Sequence, residues 1–322
     1  MTLQHRLEYL LLVALRGVVI SLPLESAQAL GAQLGRIGYS VFAGRRRVAL
    51  ENLARAFPSA PARELERIAR GAFRNYGITF IELLWAPNVS GKLLDRLITA
   101  PERGLIGSLH ARGKGLVILT AHFGNWELIA LALPHLGGLG ISVIVQPQSN
   151  ELADRLISSH RALFGNRLIP RGISIREILG TLDRGGIVAL AADQSGPKEG
   201  VFVRFFGRMA ATPQGPAAFA LRGRVPILMA FLLRKEDGSY QLLLESVPMD
   251  DLDGNTEANV AELTQRHTAI LERAIRAHPE QWLWMHRRWK NSREDAPLID
   301  SPPIDSPPMG SPRGSPGWTG VT

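Results

Sequence analysis

The chain has 322 residues, enough for one large domain or two small ones, and 45% of them are hydrophobic, ample for a core. It contains no cysteine, which excludes disulfides, thiolate catalysis and Cys-ligated zinc or iron–sulfur sites. A net charge of +8 points to an anionic partner: nucleic acid, anionic lipid or an acidic carrier.

Residues 9–24 are almost uniformly apolar, broken by Arg16 and closed by Pro23 and Glu25. The interrupting arginine and the proline argue against a secretory signal, and the run is short of the roughly 20 clean apolar residues that span a bilayer. The expectation for residues 1–24 is a membrane-associated helix, interfacial or marginally inserted, with Arg16 snorkelling. The alternative is a core helix of the globular body. Leu30, Leu34, Ile37, Val41 and Phe42 recur at helical spacing, and further helical segments cover 45–57 and 62–85, with a turn at 59–61.

From Gly113 the pattern alternates between strands and helices. Strands are predicted at 116–120, 141–145, 187–192, 227–233 and 241–245, and helices at 126–133, 153–164 and 175–182. Ser174 and Glu177 form a capping box for the last of these. Thr212-Pro213 reads as an N-cap with proline at the first helical position, opening a helix through Arg222. A long helix is predicted at 256–277. This alternation gives an α/β fold, with a mostly parallel central sheet flanked by helices and an N-terminal helical, membrane-associated region. Residues 294–322 are dense in Pro, Ser and Gly and read as a disordered tail.

The segment GLVILTAHFGNWELIALA, residues 115–132, carries the clearest chemistry. The apolar run ends at Thr120, His122 falls on the following loop, and Asn125 suits the N-cap of a helix bearing Glu127. Open α/β sheets place their sites at such strand ends. The spacing His-x4-Glu alone is weak, because 8 His and 29 acidic residues in 322 give a match by chance about as often as not. A second pair, His267 and Glu272, lies in the long helix, where five residues turn about 140° and hold the side chains apart. At His122 the helix starts after the histidine, so the loop can fold it back toward Glu127. Asp193-Gln194 follows the 187–192 strand and belongs on the same sheet edge. Phe205, Phe206, Thr212 and Gly215 are candidates for an apolar slot closed by a helix N-terminus, with ordinary core as the alternative for the two phenylalanines.

There is no G-x-S-x-G elbow, P-loop, G-x-G-x-x-G or convincing metal spacing. A His–carboxylate pair without an enzyme nucleophile suits direct transfer, in which His122 takes the proton of an attacking hydroxyl. Basic residues cluster at Arg45-Arg46-Arg47 and at Arg287-Arg288-Trp289-Lys290. No nucleic-acid-binding motif accompanies them, so membrane phosphate ranks above nucleic acid. With Trp282, Trp284 and Trp289, the second cluster suits a lipid–water interface. Alternatively, the tryptophans are core and the arginines cap a final element.

The segments TAHFGNWE, AADQS, FFGRMAATPQGPAAFALR and QWLWMHRRWK, in this order, resemble the late (lauroyl/myristoyl) acyltransferases of bacterial lipid A biosynthesis, within the lysophospholipid acyltransferase superfamily. RRRVALENLARAFP and FRNYGITFIELL resemble them too, and the likeness covers residues 5 to 293. It implies an acyltransferase domain over 25–293, with His122 and Glu127 as a catalytic dyad. Asp193 and Gln194 match the family's recurrent acidic segment. Asn125, Arg161, Thr212 and Gly215 join them as substrate-binding expectations. Where a Tyr-Arg-Pro-like segment is expected, this chain has Val145-Gln146-Pro147, which leaves Arg161 and Arg171 as substitutes for phosphate recognition. The resemblance implies an acyl carrier protein or acyl-CoA donor, a glycolipid acceptor, no metal or cofactor, and a place on the cytoplasmic face of the cell inner membrane.

Overall fold

The computed structural model describes residues 2–172, 175–198 and 200–291; Ser174 of the expected capping box and the Pro/Ser-rich tail lie outside the described residues. Four helices come first: α1 (Leu3–Ile20), α2 (Leu24–Val41), α3 (Ala43–Ala56) and α4 (Ala62–Trp85). The α/β body then runs α5 (Gly91–Leu97), β1 (Ile98–Thr99), α6 (Gly104–His110), β2 (Leu116–Thr120), α7 (Ile129–Gly137), β3 (Ile141–Val145), α8 (Glu151–Arg161), β4 (Arg167–Pro170), α9 (Ile175–Asp183) and β5 (Ile187–Ala191). It closes with β6 (Val201–Phe205), β7 (Arg208–Thr212), α10 (Gly215–Gly223), β8 (Ile227–Arg234), β9 (Tyr240–Ser246) and α11 (Glu257–Ala277).

Seven strands form one sheet in the order β1-β9-β8-β2-β5-β3-β4, parallel throughout except between β8 and β9. Strand side chains alternate between faces, and both faces are covered. Val117 and Leu119 of β2 join one core with α10, α11 and the tryptophan segment, while Leu116 and Ile118 join another with α6 and α7. That two-sided burial explains why β2 and β8 read as continuous apolar runs rather than alternating ones.

The N-terminal region departs from the single helix expected over residues 1–24. Among the described residues no helix is long and apolar enough to cross a membrane. The apolar run breaks at Ser21–Pro23 between α1 and α2, and Pro23 precedes the first residue of α2. Arg16 does not snorkel: its Nε donates to His160 Nε2 (3.2 Å), joining α1 to α8. In α2 the apolar stripe faces outward. Leu34, Ile37, Val41 and Phe42 are exposed, and the buried side is Ala27, Gly31, Ala32, Gly35, Gly38 and Tyr39. The cause is close packing on α4: a Cβ at Gly35 would stand 2.3 Å from the Phe73 carbonyl oxygen, and one at Gly77 2.3 Å from that of Gly31.

Local chemistry also shifts two predicted helices. α7 starts at Ile129 because the Asn125 side-chain oxygen accepts from the N–H groups of Glu127 (3.2 Å) and Leu128 (2.9 Å), holding a turn ahead of it. Pro134 inside α7 has no N–H to offer Ala130, whose carbonyl accepts from Asn166 Nδ2 (2.5 Å) instead. Thr212 ends β7 and is not an N-cap, so α10 opens three residues later, with Pro216 in its first turn. β6 and β7 form a hairpin that the sequence pattern did not reveal, turned by Phe206 (φ 53°) and Gly207 (φ 71°). Phe205 and Phe206 therefore pack with Phe57, Trp282, Trp284 and Trp289 in the core and form no slot.

Candidate active site

β2 and β5 are neighbours in register, Thr120 opposite Ala191. Two residues beyond each strand stand His122 and Asp193, and parallel pairing brings them together at the same sheet edge. His122 Nδ1 lies 2.9 Å from Asp193 Oδ1, and the His122 backbone N–H donates to Oδ2 (3.0 Å). Trp282 Nε1 also donates to Oδ2 (2.9 Å). Trp282 reaches it because residues 281–283 run beside 122–124: Gly124 N donates to Gln281 O and Leu283 N to His122 O, both 3.0 Å.

A carboxylate only accepts, so Nδ1 carries the proton and Nε2 is left with its lone pair. Asp193 is buried, which pushes its carboxyl up, but the charge and hydrogen bond of His122 and the Trp282 N–H outweigh this and hold it at about 2. Burial pushes the His122 imidazole down. The Asp193 charge and hydrogen bond, aided by the Glu127 charge, more than reverse this and leave it above 6.5. The His122 side chain keeps 26% exposure, facing a cavity of about 1190 Å³ that it helps to line.

Glu127, expected to orient His122, is not hydrogen-bonded to it in the structure; its charge acts on the imidazole from a distance. It lines the same cavity and forms a bidentate pair with Arg161, at 2.7 and 2.6 Å. Arg161 is therefore engaged by a carboxylate and is not a free phosphate ligand; burial works against its charge, but Glu127 raises its pKa on balance. Arg171 lines the cavity and is exposed. Gln194 and Gly215 line it as well. Thr212 is buried and accepts from Arg288 Nη2 (2.6 Å), so its hydroxyl serves the core. Asn125 is wholly buried behind the loop.

One part of the cavity is walled by buried Ile118, Ile129, Leu133 and Ile141; another by exposed Gln146, Gln148, Arg171 and Arg176. Its volume exceeds the roughly 300–1,000 Å³ of ordinary small-molecule pockets. Among the described residues no group of three or more His, Asp or Glu side chains has the geometry to hold a metal ion.

His267 and Glu272 stay apart, as helix geometry requires. His267 is buried, its imidazole pushed down to about 3 by burial with help from the Arg288 charge, while Glu272 accepts from the Phe206 N–H and from Arg276. The second basic cluster divides. Arg288 is 1% exposed, donates to the Ala211 carbonyl and lies over the Phe205 ring, and Trp282, Trp284 and Trp289 are core. These residues form no interfacial belt; only Arg287 and Lys290 are exposed.

The sequence model described as bacterial lipid A biosynthesis acyltransferase matches residues 2–291. The chain belongs to that family. It is an enzyme that transfers acyl groups to lipid A or a related lipid. Lipid A biosynthesis lauroyltransferase of Escherichia coli is 26% identical over 291 residues, covering 87% of this chain and 90% of that protein. Lipid A biosynthesis palmitoleoyltransferase of the same organism is 26% identical over 283 residues, 84% and 87% of the two chains. Phosphatidylinositol mannoside acyltransferase of Mycobacterium tuberculosis is also 26% identical, over 246 residues, 74% and 75%. Within this family member, Arg161 as the partner of Glu127, and Trp282 as a donor to Asp193, are assignments that needed the three-dimensional contacts. The only sequence signal for Trp282 was its place in the QWLWMHRRWK segment.

Proposed function

We propose that this acyltransferase moves a fatty acyl chain from a thioester donor to a hydroxyl of a glycolipid, with His122 as general base. The acceptor O–H gives its proton to His122 Nε2 as its oxygen bonds the thioester carbonyl carbon. The C–S bond then breaks and the proton passes to the departing thiolate. Asp193 fixes the tautomer and steadies the imidazolium, and the Glu127–Arg161 pair flanks the reacting centre. The observation that carries this reading is the Asp193–His122 contact at 2.9 Å beside a lipid-sized cavity whose buried part is apolar. The buried part suits the acyl chain, and the exposed polar part suits the acceptor headgroup.

The donor is an acyl carrier protein thioester, or an acyl-CoA. Arg45 Nη1 donates to the Met285 carbonyl (3.3 Å), so the basic stretches at 45–47 and 287–290 share one face. Exposed Arg45, Arg47, Arg287 and Lys290 there suit an acidic carrier. The acceptor is a lipid A precursor, with a phosphatidylinositol mannoside as the second reading because the mycobacterial relative matches at the same identity. Association with a membrane surface, on this reading the cytoplasmic face of the inner membrane, is supported as an association, and not as to the face, by the outward stripes of α1 and α2: Leu3, Leu7, Leu10 and Leu11, with Ile37, Val41 and Phe42, are all exposed. This is in-plane docking of residues that pack on the body, in place of a separate anchor at 1–24.

The test is purified protein with carrier-protein and CoA thioesters of several lengths and a panel of glycolipid acceptors. His122→Ala is expected to lower turnover by about 10²–10⁴-fold with the fold intact. A loss below tenfold removes the general-base role, and lipid mass spectrometry after gene deletion separates the two acceptors.

A further inference from the structure

Behind the reacting loop lies a buried polar cluster with no surface role. Glu82 of α4 accepts from Arg234 of β8 at both oxygens (2.8 and 2.7 Å), from Gln28 (2.7 Å), from the Tyr240 hydroxyl and from Asn125 Nδ2 (2.7 Å). Arg234 also donates to Asn75 Oδ1 and Thr79 Oγ1, at 3.2 and 3.3 Å. Glu82, Arg234, Tyr240 and Asn125 are all buried.

This cluster grips the loop at two successive residues. The Gly124 carbonyl accepts from Asn75 (3.0 Å) and Thr79 (3.3 Å), and Asn125 N donates to the Leu232 carbonyl (2.8 Å). Gly124 must be glycine here: its φ is +62°, and a Cβ would meet Leu232 O at 2.1 Å. Asn125 carries the grip onward. A carboxylate accepts and never donates, so Glu82 forces the Asn125 amide to turn its NH2 inward. The side-chain oxygen must then face the N–H groups of Glu127 and Leu128, as observed. Reversed, the amide would set NH2 against N–H and release that turn. Glu82 and Glu127 also border one small void of about 10 Å³, so the cluster reaches the back of the Glu127–Arg161 pair.

We propose that the buried Glu82–Arg234 pair acts through Asn125 as a positioning device, setting where the Glu127 carboxylate stands between Arg161 and the cavity. Asn125 is thus a positioning residue and no substrate ligand. The proposal rests on the reading of His122 and Glu127 as the reacting site.

Asn125→Ala is the discriminating variant, because Glu82 and Arg234 remain paired in it. Measured on the full chain with the donor and acceptor on which the unaltered enzyme turns over, kcat is expected to fall about 10²-fold with KM for the donor within about threefold. The acidic limb of the kcat profile should also move to lower pH, because the Glu127 charge helps to hold His122 above its ordinary value. Glu82→Gln should change both quantities in the same direction if it folds. A kcat within threefold of the unaltered enzyme, or a loss that merely follows the folded fraction with an unmoved pH profile, overturns the proposal. His122→Ala, run alongside, separates the premises. If it keeps turnover, the site reading has failed; if it is inactive while Asn125→Ala is normal, the site stands and the positioning device does not.

Discussion

Asp193→Asn tests the proposed mechanism at its most buried contact. In the folded site the Asp193 carboxyl drops from 3.8 to about 2, a preference of roughly 2–3 kcal/mol for its charged form. Asparagine has the same shape, but its two ends differ. The His122 backbone N–H and Trp282 Nε1 both point at the Oδ2 position, so the amide oxygen must settle there. The amide NH2 then faces His122 Nδ1, which must become the acceptor. The ring proton moves to Nε2, and the base is lost. In a serine-protease triad the same exchange costs about 10⁴-fold in kcat. A loss of about 10³–10⁴-fold, with donor KM nearly unchanged, is expected here.

The pH dependence has a definite sign. His122 lies above 6.5 because Asp193 outweighs burial. In the variant burial remains and the carboxylate is gone, so the imidazole pKa falls and the acidic limb of the residual rate moves to lower pH. Stability does not confuse the assay between pH 5 and 9 on account of Asp193. Its depressed pKa contributes stability that is complete above 3.8 and lost only as pH falls toward 2. The raised pKa of His122 contributes stability that is complete below 6.5 and lost as pH rises through the folded value. Steady-state rates across this range, paired with thermal melts, decide the matter. A loss under tenfold, or an acidic limb that stays in place, refutes the reasoning.

Three further outcomes are expected. Arg161→Met leaves Glu127 unpaired in a site where the two side chains are only 18% and 10% exposed, so it should destabilise by about 3–5 kcal/mol, and adding Glu127→Gln should restore the melting temperature without restoring turnover. Arg288→Met should alter thermal stability and leave donor KM unchanged, whereas Arg287→Gln with Lys290→Gln should leave stability alone, raise KM for a carrier-protein donor and weaken its salt dependence. Leu7→Glu with Leu11→Glu, at side chains 58% and 63% exposed, should abolish flotation with anionic vesicles while the melt is unchanged; undiminished flotation would remove α1 as the membrane-facing element.

The sheet was legible because its strands are buried on both faces and read as apolar runs, and because sheet edges collect chemistry. His122 and Asp193 could be placed on one edge from two strand ends alone. What could not be read was which carboxylate His122 would meet. Sequence proximity favoured Glu127, but the β2–β5 register puts Asp193 opposite, and Glu127 turns to an arginine 34 positions away. The tryptophan–arginine segment misled for a similar reason. Its composition fits an interface, yet residues 281–283 pair with the reacting loop and are drawn inside. In α2 periodicity identified the helix but not its buried face, because Gly31, Gly35 and Gly77 let backbones touch and the larger side chains face outward. The Glu82–Arg234 pair could not be read as a pair, since its members are 152 residues apart; Glu82 lies in the family-like FRNYGITFIELL segment, but nothing marked Arg234 as its partner.

The arrangement of charge explains why both carboxylates have work at one site. With neutral His122, Asp193 and Glu127 carry two negative charges and Arg161 one positive, so the centre is net negative. Proton transfer in the proposed reaction creates an imidazolium, and the same four groups then balance. The site is thus complementary to the charge that develops on His122, held by dipoles and ions already in place before substrate arrives. Asp193 does this by direct contact and Glu127 from a distance, which is why both raise the imidazole pKa while Arg161 lowers it. Arg161 restrains the effect: without it Glu127 would favour the imidazolium further, and a base already above 6.5 would be protonated over more of the neutral range. Such an ion pair is best held in one geometry, and the buried cluster at Glu82 and Asn125 is built to hold the Glu127 end of it.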